Sequence, residues 1–335
     1  MRHRTTVVPL ALFFALVSWG HLGHAQEKTL KKIRWGVTAI TASQWLPWIA
    51  KDAKLYDKHG LDVELILLRG SGQSSQALLG GSIFAAPVAF PTVLNADLGG
   101  ADFVVVAHTV SGVRSRLMVK PEIKRPEDLR GKRLGVSSFG SQGDFLTRST
   151  LKKYGLDPIK DVILLALGNI PERVQALLTG AVDAVDLNHP GDVIVMRNGF
   201  KALWDLRKEV NYPSMSVVTR RKSVKEDRDT VLRMVKAHTE AIYFLKANKE
   251  FSLKVLSRYL RMNDRELLEE AYNIYKEDFL SLPRPIVQGH DATYEYVAQQ
   301  RPEVLKHKPE EFMDLSIVAE LEKSGFFKEL AATYR

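Results

Sequence analysis

Two segments of this 335-residue chain repeat each other, and that repeat narrows the possible folds more than any other feature. Gln76-Ala77-Leu78-Leu79-Gly80-Gly81 resembles Gln175-Ala176-Leu177-Leu178-Thr179-Gly180, 99 residues further on, and each leads into an apolar β-rich run. Lys58-His59-Gly60-Leu61-Asp62 likewise resembles Lys153-Tyr154-Gly155-Leu156-Asp157, at an offset of 95. A helix–glycine–strand–helix–strand unit recurring at nearly constant offset implies two similar α/β lobes. From Lys32 to about Leu206, short β-rich runs alternate with amphipathic stretches, the pattern of a parallel α/β sheet. Strands are expected at 33–37, 63–68, 83–88, 103–107, 117–119, 133–136, 162–167 and 184–187, and helices at 45–58, 73–79, 143–154 and 171–178. Gly60, Gly155 and Gly180 follow helices, where a left-handed residue ends the turn most cheaply when it lacks a Cβ.

Beyond Thr219 the pattern becomes helical, with helices expected at 223–247, 251–260, 264–278, 291–300 and 309–324. Ser223 and Glu226 have the spacing of a capping box for the first of these. Leu232, Val235, Thr239, Ile242 and Leu245 recur at helical spacing and are read as a core-facing stripe. Pro283-Arg284-Pro285 interrupts the series with a stiff extended segment.

The first 25 residues read as a secretory signal peptide. Arg2 and Arg4 precede an apolar run from Val7 to Trp19, and Gly23 and Ala25 occupy the small-residue positions of a cleavage site before Gln26. The apolar run is too short for a bilayer, which needs about 20 residues. The mature chain of 310 residues would carry a net charge of +7, down from +9. That charge is dispersed, with no block longer than Arg220-Arg221-Lys222, so it reads as a solvated surface and not a nucleic-acid footprint. The absence of cysteine excludes disulfides, thiolate metal sites, a cysteine nucleophile and a lipoprotein anchor. The expected product is soluble and extracytoplasmic.

The six histidines of the mature chain (His59, His108, His189, His238, His290 and His307) form no HExxH or other close ligand pair, and no GxSxG elbow is present. Nothing in these residues argues for an enzyme, a cofactor or a metal. Binding features instead gather at the expected C-terminal ends of strands, where open α/β sheets take ligands. After the first strand come Ser43, Gln44 and Trp45, and after the second Gly70, Ser71 and Gln73. The third exits through Pro87 and Phe90. Ser138, Phe139, Ser141 and Gln142 open a helix, where unpaired N–H groups and hydroxyls suit an anion or polar group. Asp186 and Asn188 end a later strand, and Arg114 and Arg116 lie near the expected crossing between lobes.

Three further stretches carry a family resemblance. Leu46-Pro47-Trp48-Ile49-Ala50-Lys51 with Leu55-Tyr56 and Gly60-Leu61-Asp62-Val63-Glu64 resembles the opening of the NMT1/THI5-like, SsuA-type substrate-binding proteins of ABC transporters. Arg125-Pro126-Glu127-Asp128-Leu129-Arg130-Gly131-Lys132-Arg133-Leu134-Gly135-Val136 is similar to their entrance to the second lobe, and Ala176–Ala184 to their "aLlsGevDA" segment. The resemblance implies a two-lobed type 2 periplasmic-binding-protein fold, with a hinge, a ligand cleft between the lobes and a helical C-terminal tail packed on lobe one. It implies lobe one from 26–112 plus 215–335 and lobe two from 113–214, and it carries the family's pocket loops onto the site residues named above. It implies a monomeric periplasmic protein that hands a small molecule to an ABC permease and ATPase complex. The ligand expected is an organic anion such as a sulfonate or carboxylate, or a nitrogen heterocycle. Ala85-Ala86-Pro87 and Asn188-His189-Pro190 depart from the family's usual strand exits. The cysteine cluster of the family's pyrimidine-forming enzymes is missing, which sets that alternative back; a ligand-binding module for a membrane sensor is the other.

Overall fold

A computed structural model describes residues 29–112, 114–213 and 215–335. The expected signal peptide lies outside the described residues. Among the described residues there are ten strands: β1 (Lys31–Val37), β2 (Leu61–Leu67), β3 (Ala86–Val88), β4 (Phe103–His108), β5 (Ser115–Val119), β6 (Arg133–Val136), β7 (Ile163–Ala166), β8 (Ala184–Asn188), β9 (Lys201–Asp205) and β10 (Ser216–Arg220). β9 escapes the sequence pattern because Lys201 and Asp205 frame only three apolar residues.

The strands form two layers of the same design. In the first, β1 and β2 are parallel, and β10 lies between β3 and β4, antiparallel to both. A parallel bridge from Trp35 to Ala85 joins β1 to β3, with Phe84 N donating to Arg34 O at 2.8 Å and Gly36 N to Ala85 O at 2.9 Å. The order is therefore β2-β1-β3-β10-β4. The second layer runs β7-β6-β8-β5-β9, with β5 antiparallel to both its neighbours. In each layer the antiparallel strand comes from a crossing segment. The two copies keep a register of 99 residues: Leu68 N donates to Val37 O and Leu167 N to Val136 O, both at 2.8 Å. Gly36 and Gly135 hold equivalent places. A Cβ at Gly36 would lie 2.8 Å from Ala86 Cβ, and one at Gly135 would lie 2.9 Å from Val185 Cγ1. The lesser offset of the Gly60 and Gly155 motifs has a local cause: Gly60 runs straight into β2, whereas Gly155 is followed by a turn in which the Asp157 carboxylate accepts from Ile159 N and Lys160 N.

Three helical expectations are corrected. The expected helix over 45–58 is two, Trp45–Asp52 and Leu55–Lys58, because Lys54 takes the left-handed conformation at φ 55°. The helix over 223–247 breaks at Asp227 into Arg221–Glu226 and Arg228–Ala247. Ser223 is thus inside the first piece and does not cap it, since Arg221 N is already held by Asp102 O. The stretch 309–324 is a 3-10 turn, Pro309–Phe312, followed by the helix Ser316–Lys323, and the chain ends in a further helix, Phe326–Thr333.

The tail helices pack on the first layer, where Leu245, Leu256, Tyr275 and Ile317 join Trp35, Trp45 and Ile49 in one apolar cluster. The stripe of the helix Arg228–Ala247 supplies Val235 and Ile242 to it. A second cluster runs from the first layer into the second: Phe145 lies 5.1 Å from Tyr296 of the tail between ring centroids, and 5.5 Å from Tyr212 next to the return crossing. The chain crosses between the layers twice, and the crossings run side by side, with Gly112 N donating to Pro213 O at 2.6 Å. No helix among the described residues is long and apolar enough to cross a membrane.

Candidate functional site

The C-terminal ends of β1 and β3 face those of β6 and β8, so the loops that leave them meet between the layers. Thr41 Oγ1 donates to His189 O at 3.1 Å, and Thr92 Oγ1 donates to Gly140 O at 2.7 Å. Gly70, at φ 75°, lies so close to Ser138 that a Cβ there would stand 2.7 Å from the serine hydroxyl. At this meeting lies a cavity of about 10 Å³, walled by Ser43, Val110, Gly112 and Tyr275 on one side and by Gln142 and Asn188 on the other, with Arg114 and Met215 at the crossings. That volume admits about one water, so a larger molecule reaches it only when the lobes part.

The expected site residues divide clearly. Ser43, Gln142 and Asn188 line the cavity, and Asn188 Nδ2 donates to Arg114 O at 2.8 Å. Gln44 is buried beside it, with Nε2 on Met215 Sδ at 3.1 Å. Gln44 Oε1, Gln142 Oε1, Ser138 Oγ and the Tyr275 hydroxyl are buried without a hydrogen-bond partner, which is costly unless something else supplies one. Ser71 Oγ accepts from Ala89 N, and Gln73 Oε1 accepts from Arg69 N, so both side chains brace their own loop. Pro87 is a strand residue paired with Val217. Trp45 is fully buried among the tail helices and donates to Ser252 O at 3.1 Å. Phe90 is also fully buried, against His290 and Phe312. Phe139 is 56% exposed on an outer groove, under the Arg148 guanidinium at 5.8 Å.

The helix Gln142–Lys153 begins at this site, and the protein's own carboxylates meet its positive end. Ser141 caps it by accepting from Asp144 N. Asp144, 1% exposed, accepts from Gly140 N at 2.9 Å and pairs with Arg148 at 2.7 Å. The Asp186 carboxylate lies against Gly143, where any Cβ would collide with it, and is paired with the buried Arg173. Negative charge at a helix N-terminus is favourable by the dipole alone; here two carboxylates already occupy that place.

The other charges are paired as well. Arg114 donates to both Asp278 oxygens, and Arg207 shares that carboxylate at 3.5 Å. Hydrogen bonding to Asp278 raises the Arg114 pKa further above its ordinary value. Arg116 pairs with Asp192 at 2.8 Å. Burial pushes the Tyr275 hydroxyl up, so it stays protonated and neutral. Tyr275, Val110 and Met215 were not singled out from the sequence, for Tyr275 comes from the tail helix Arg265–Asp278, whose periodicity reads as packing alone.

One Ser–His contact invites a catalytic reading. His108 Nε2 lies 2.9 Å from Ser216 Oγ, but Ile286 N donates to His108 Nδ1 at 2.6 Å. The ring proton is therefore on Nε2 and is donated to the serine, so this histidine cannot take the serine's proton. Burial, with His290 nearby, lowers the His108 pKa to about 3, which fits a structural histidine. Among the described residues no group of three or more metal-ligating side chains converges.

The sequence profile of the NMT1-like family matches residues 26–258. A presumed binding protein of Brucella abortus (strain 2308) is 29% identical over 258 residues, covering 75% of this chain and 77% of its own. A presumed ABC transporter periplasmic binding protein of Brachyspira hyodysenteriae is 23% identical over 286 residues, covering 80% of each. Among solved structures, the alkanesulfonate-binding protein SsuA of Xanthomonas axonopodis pv. citri superposes with a TM-score of 0.71 at 19% identity, over 84% of this chain and 98% of its own. At that identity the superposition establishes the fold, a two-lobed periplasmic-binding-protein architecture with a helical tail.

Proposed function

The chain belongs to the NMT1-like family, and from that premise we propose that it is an extracytoplasmic solute-binding protein delivering a small molecule to an ABC permease and its ATPase. One observation carries this reading: two buried polar atoms left without partners, Gln142 Oε1 and the Tyr275 hydroxyl, come from opposite lobes and line the same cavity, and Gln44 Oε1 and Ser138 Oγ, on neighbouring strand-exit loops, are unpartnered as well. A ligand held there would satisfy groups from each lobe at once, so its binding energy would favour lobe closure. The relative that is a presumed ABC transporter periplasmic binding protein supports the transport setting. The serine–histidine pair locked in a donor tautomer supports binding without catalysis. We take lobe one as 26–112 with 215–335 and lobe two as 113–214, and the protein as a monomer in the periplasm after loss of residues 1–25; the paired crossings at Gly112 and Pro213 support those lobe limits. The ligand classes open to it are small organic anions, sulfonate or carboxylate, and nitrogen heterocycles.

The test is a thermal-shift screen of the mature chain against sulfonates, nitrate, carboxylates and pyrimidines. At least one is expected to raise the melting temperature, and the rise is expected to shrink in Ser138→Ala/Gln142→Ala while the circular dichroism stays unchanged. Silence across all four classes refutes the reading.

A further inference from the structure

We infer that the interlobe cavity is built for an uncharged ligand presenting a hydrogen-bond donor beside an acceptor, as an amide, a lactam or an amino-heterocycle does, with the Gln142 carboxamide and the Tyr275 hydroxyl as the groups that read it. The inference rests on the binding-protein reading above and narrows its ligand class.

Charge is the first argument. A sulfonate or carboxylate buried between lobes needs an uncompensated cation or free N–H groups, since stripping an ion of water costs several kcal/mol. Arg114 is the cationic side chain on the cavity wall, and its guanidinium already donates to both oxygens of the buried Asp278. The positive end of the helix Gln142–Lys153 is met by the protein's own carboxylates. Its first turn holds Asp144, and Asp186 presses on Gly143. The cations near that end are taken too, for Arg148 pairs with Asp144 and Arg173 with Asp186.

The unpartnered atoms on the cavity wall are the second argument, and both are neutral. The Tyr275 hydroxyl, on a side chain 1% exposed, comes from the tail packed on the first layer, and Gln142 Oε1 comes from the opposite lobe. Hydroxyls donate or accept, and a carboxamide presents a carbonyl beside an NH₂. Exchanging the two ends of the Gln142 amide changes which atom meets the ligand but not the edge it matches, a donor next to an acceptor. That edge leaves a carboxylate or sulfonate, which only accepts, with a mismatched contact, and a buried mismatch discriminates strongly.

The experiment uses matched probes on the mature chain. Benzamide, nicotinamide, uracil and cytosine are compared by calorimetry and thermal shift with benzoate, nicotinate and benzenesulfonate. The expected result is that at least one uncharged probe binds, at least tenfold tighter than its anionic counterpart and with no change in affinity between 50 and 500 mM salt. Gln142→Ala, at the cavity edge, is expected to weaken it roughly tenfold, the scale of one lost hydrogen bond. Anions binding as tightly as the uncharged probes, with the same dependence on Gln142, overturn the ligand class and leave the cleft reading standing. Binding of any probe that is indifferent to both Gln142→Ala and Tyr275→Phe removes the cleft as the site, and the inference with it. Silence from all four uncharged probes overturns the inference by itself.

Discussion

Removing the Arg173 side chain tests whether Asp186 supports the site or serves the ligand. Both groups are 3% exposed, and Arg173 Nη1 is shared between the Asp186 carboxylate and its main-chain oxygen, the latter at 2.6 Å. Arg173→Met keeps most of the volume and deletes the charge. It leaves a buried carboxylate with no cation, pressed against the first turn of the helix Gln142–Lys153. Breaking a buried ion pair from one side costs about 3–5 kcal/mol, and the stranded carbonyl adds to that within the same range. A loss of about 4 kcal/mol, at about 2 °C per kcal/mol for a chain of this size, lowers the melting temperature by about 8 °C. The double variant Arg173→Met/Asp186→Leu removes both charges together and is expected to recover most of that loss, since a buried pair exchanged for apolar groups is close to neutral. Differential scanning calorimetry gives both numbers, and titration with whichever probe binds gives the affinity. A drop below about 2 °C for the single variant, or a double variant no better than the single, refutes the ion-pair argument. A double variant that is stable but no longer binds shows Asp186 to be a ligand contact after all.

Two further outcomes follow from described contacts. Gly36→Ala and Gly135→Ala are each expected to cost about 1–3 kcal/mol by chemical denaturation, because both push a methyl into the neighbouring strand, and a neutral result at either would break the equivalence of the two layers. Acid should destabilise the protein in two stages. Burial holds His108 and His238 near pKa 3, below their ordinary value, so the unfolded state binds more protons and stability falls as pH drops below about 6.5. Burial pushes Glu240 up, but hydrogen bonds from His59, Lys58 and Tyr334 outweigh it and hold the carboxyl at about 2; its stabilisation is present above about pH 4.5 and is lost as pH falls towards 2. Glu240→Gln should flatten that second stage in a denaturation series, and an unchanged slope would count against the contact.

The repeat and the strand ends were legible because they depend on local pattern. A glycine between a helix and a β-rich run marks the same turn wherever it occurs, and the first residues after a strand must leave the sheet. Side-chain direction was not legible. Trp45 and Phe90 do stand at strand exits, yet their rings turn into apolar clusters completed by Ser252, His290 and Phe312, 200 or more residues further along the chain. Asp186 looked like an acceptor because its partner Arg173 belongs to another element. Tyr275 reaches the cavity from a tail helix, where nothing in the pattern separates a packing aromatic from one whose hydroxyl is left over. The break at Lys54 had no signal either, since a lysine in the left-handed region is not announced by its type.

The placement of β10 has a consequence for how the chain is assembled as it is made. The strands of the second layer all fall within Ser115–Asp205, whereas the first layer receives an inner strand, β10, only from Ser216–Arg220. A chain emerging N-terminus first therefore completes the later-encoded sheet while the earlier one still has a gap, its edges at β3 and β4 unpaired. The first lobe to be made is the last to be finished, and its exposed edges are what a holdase would have to shield in the interval.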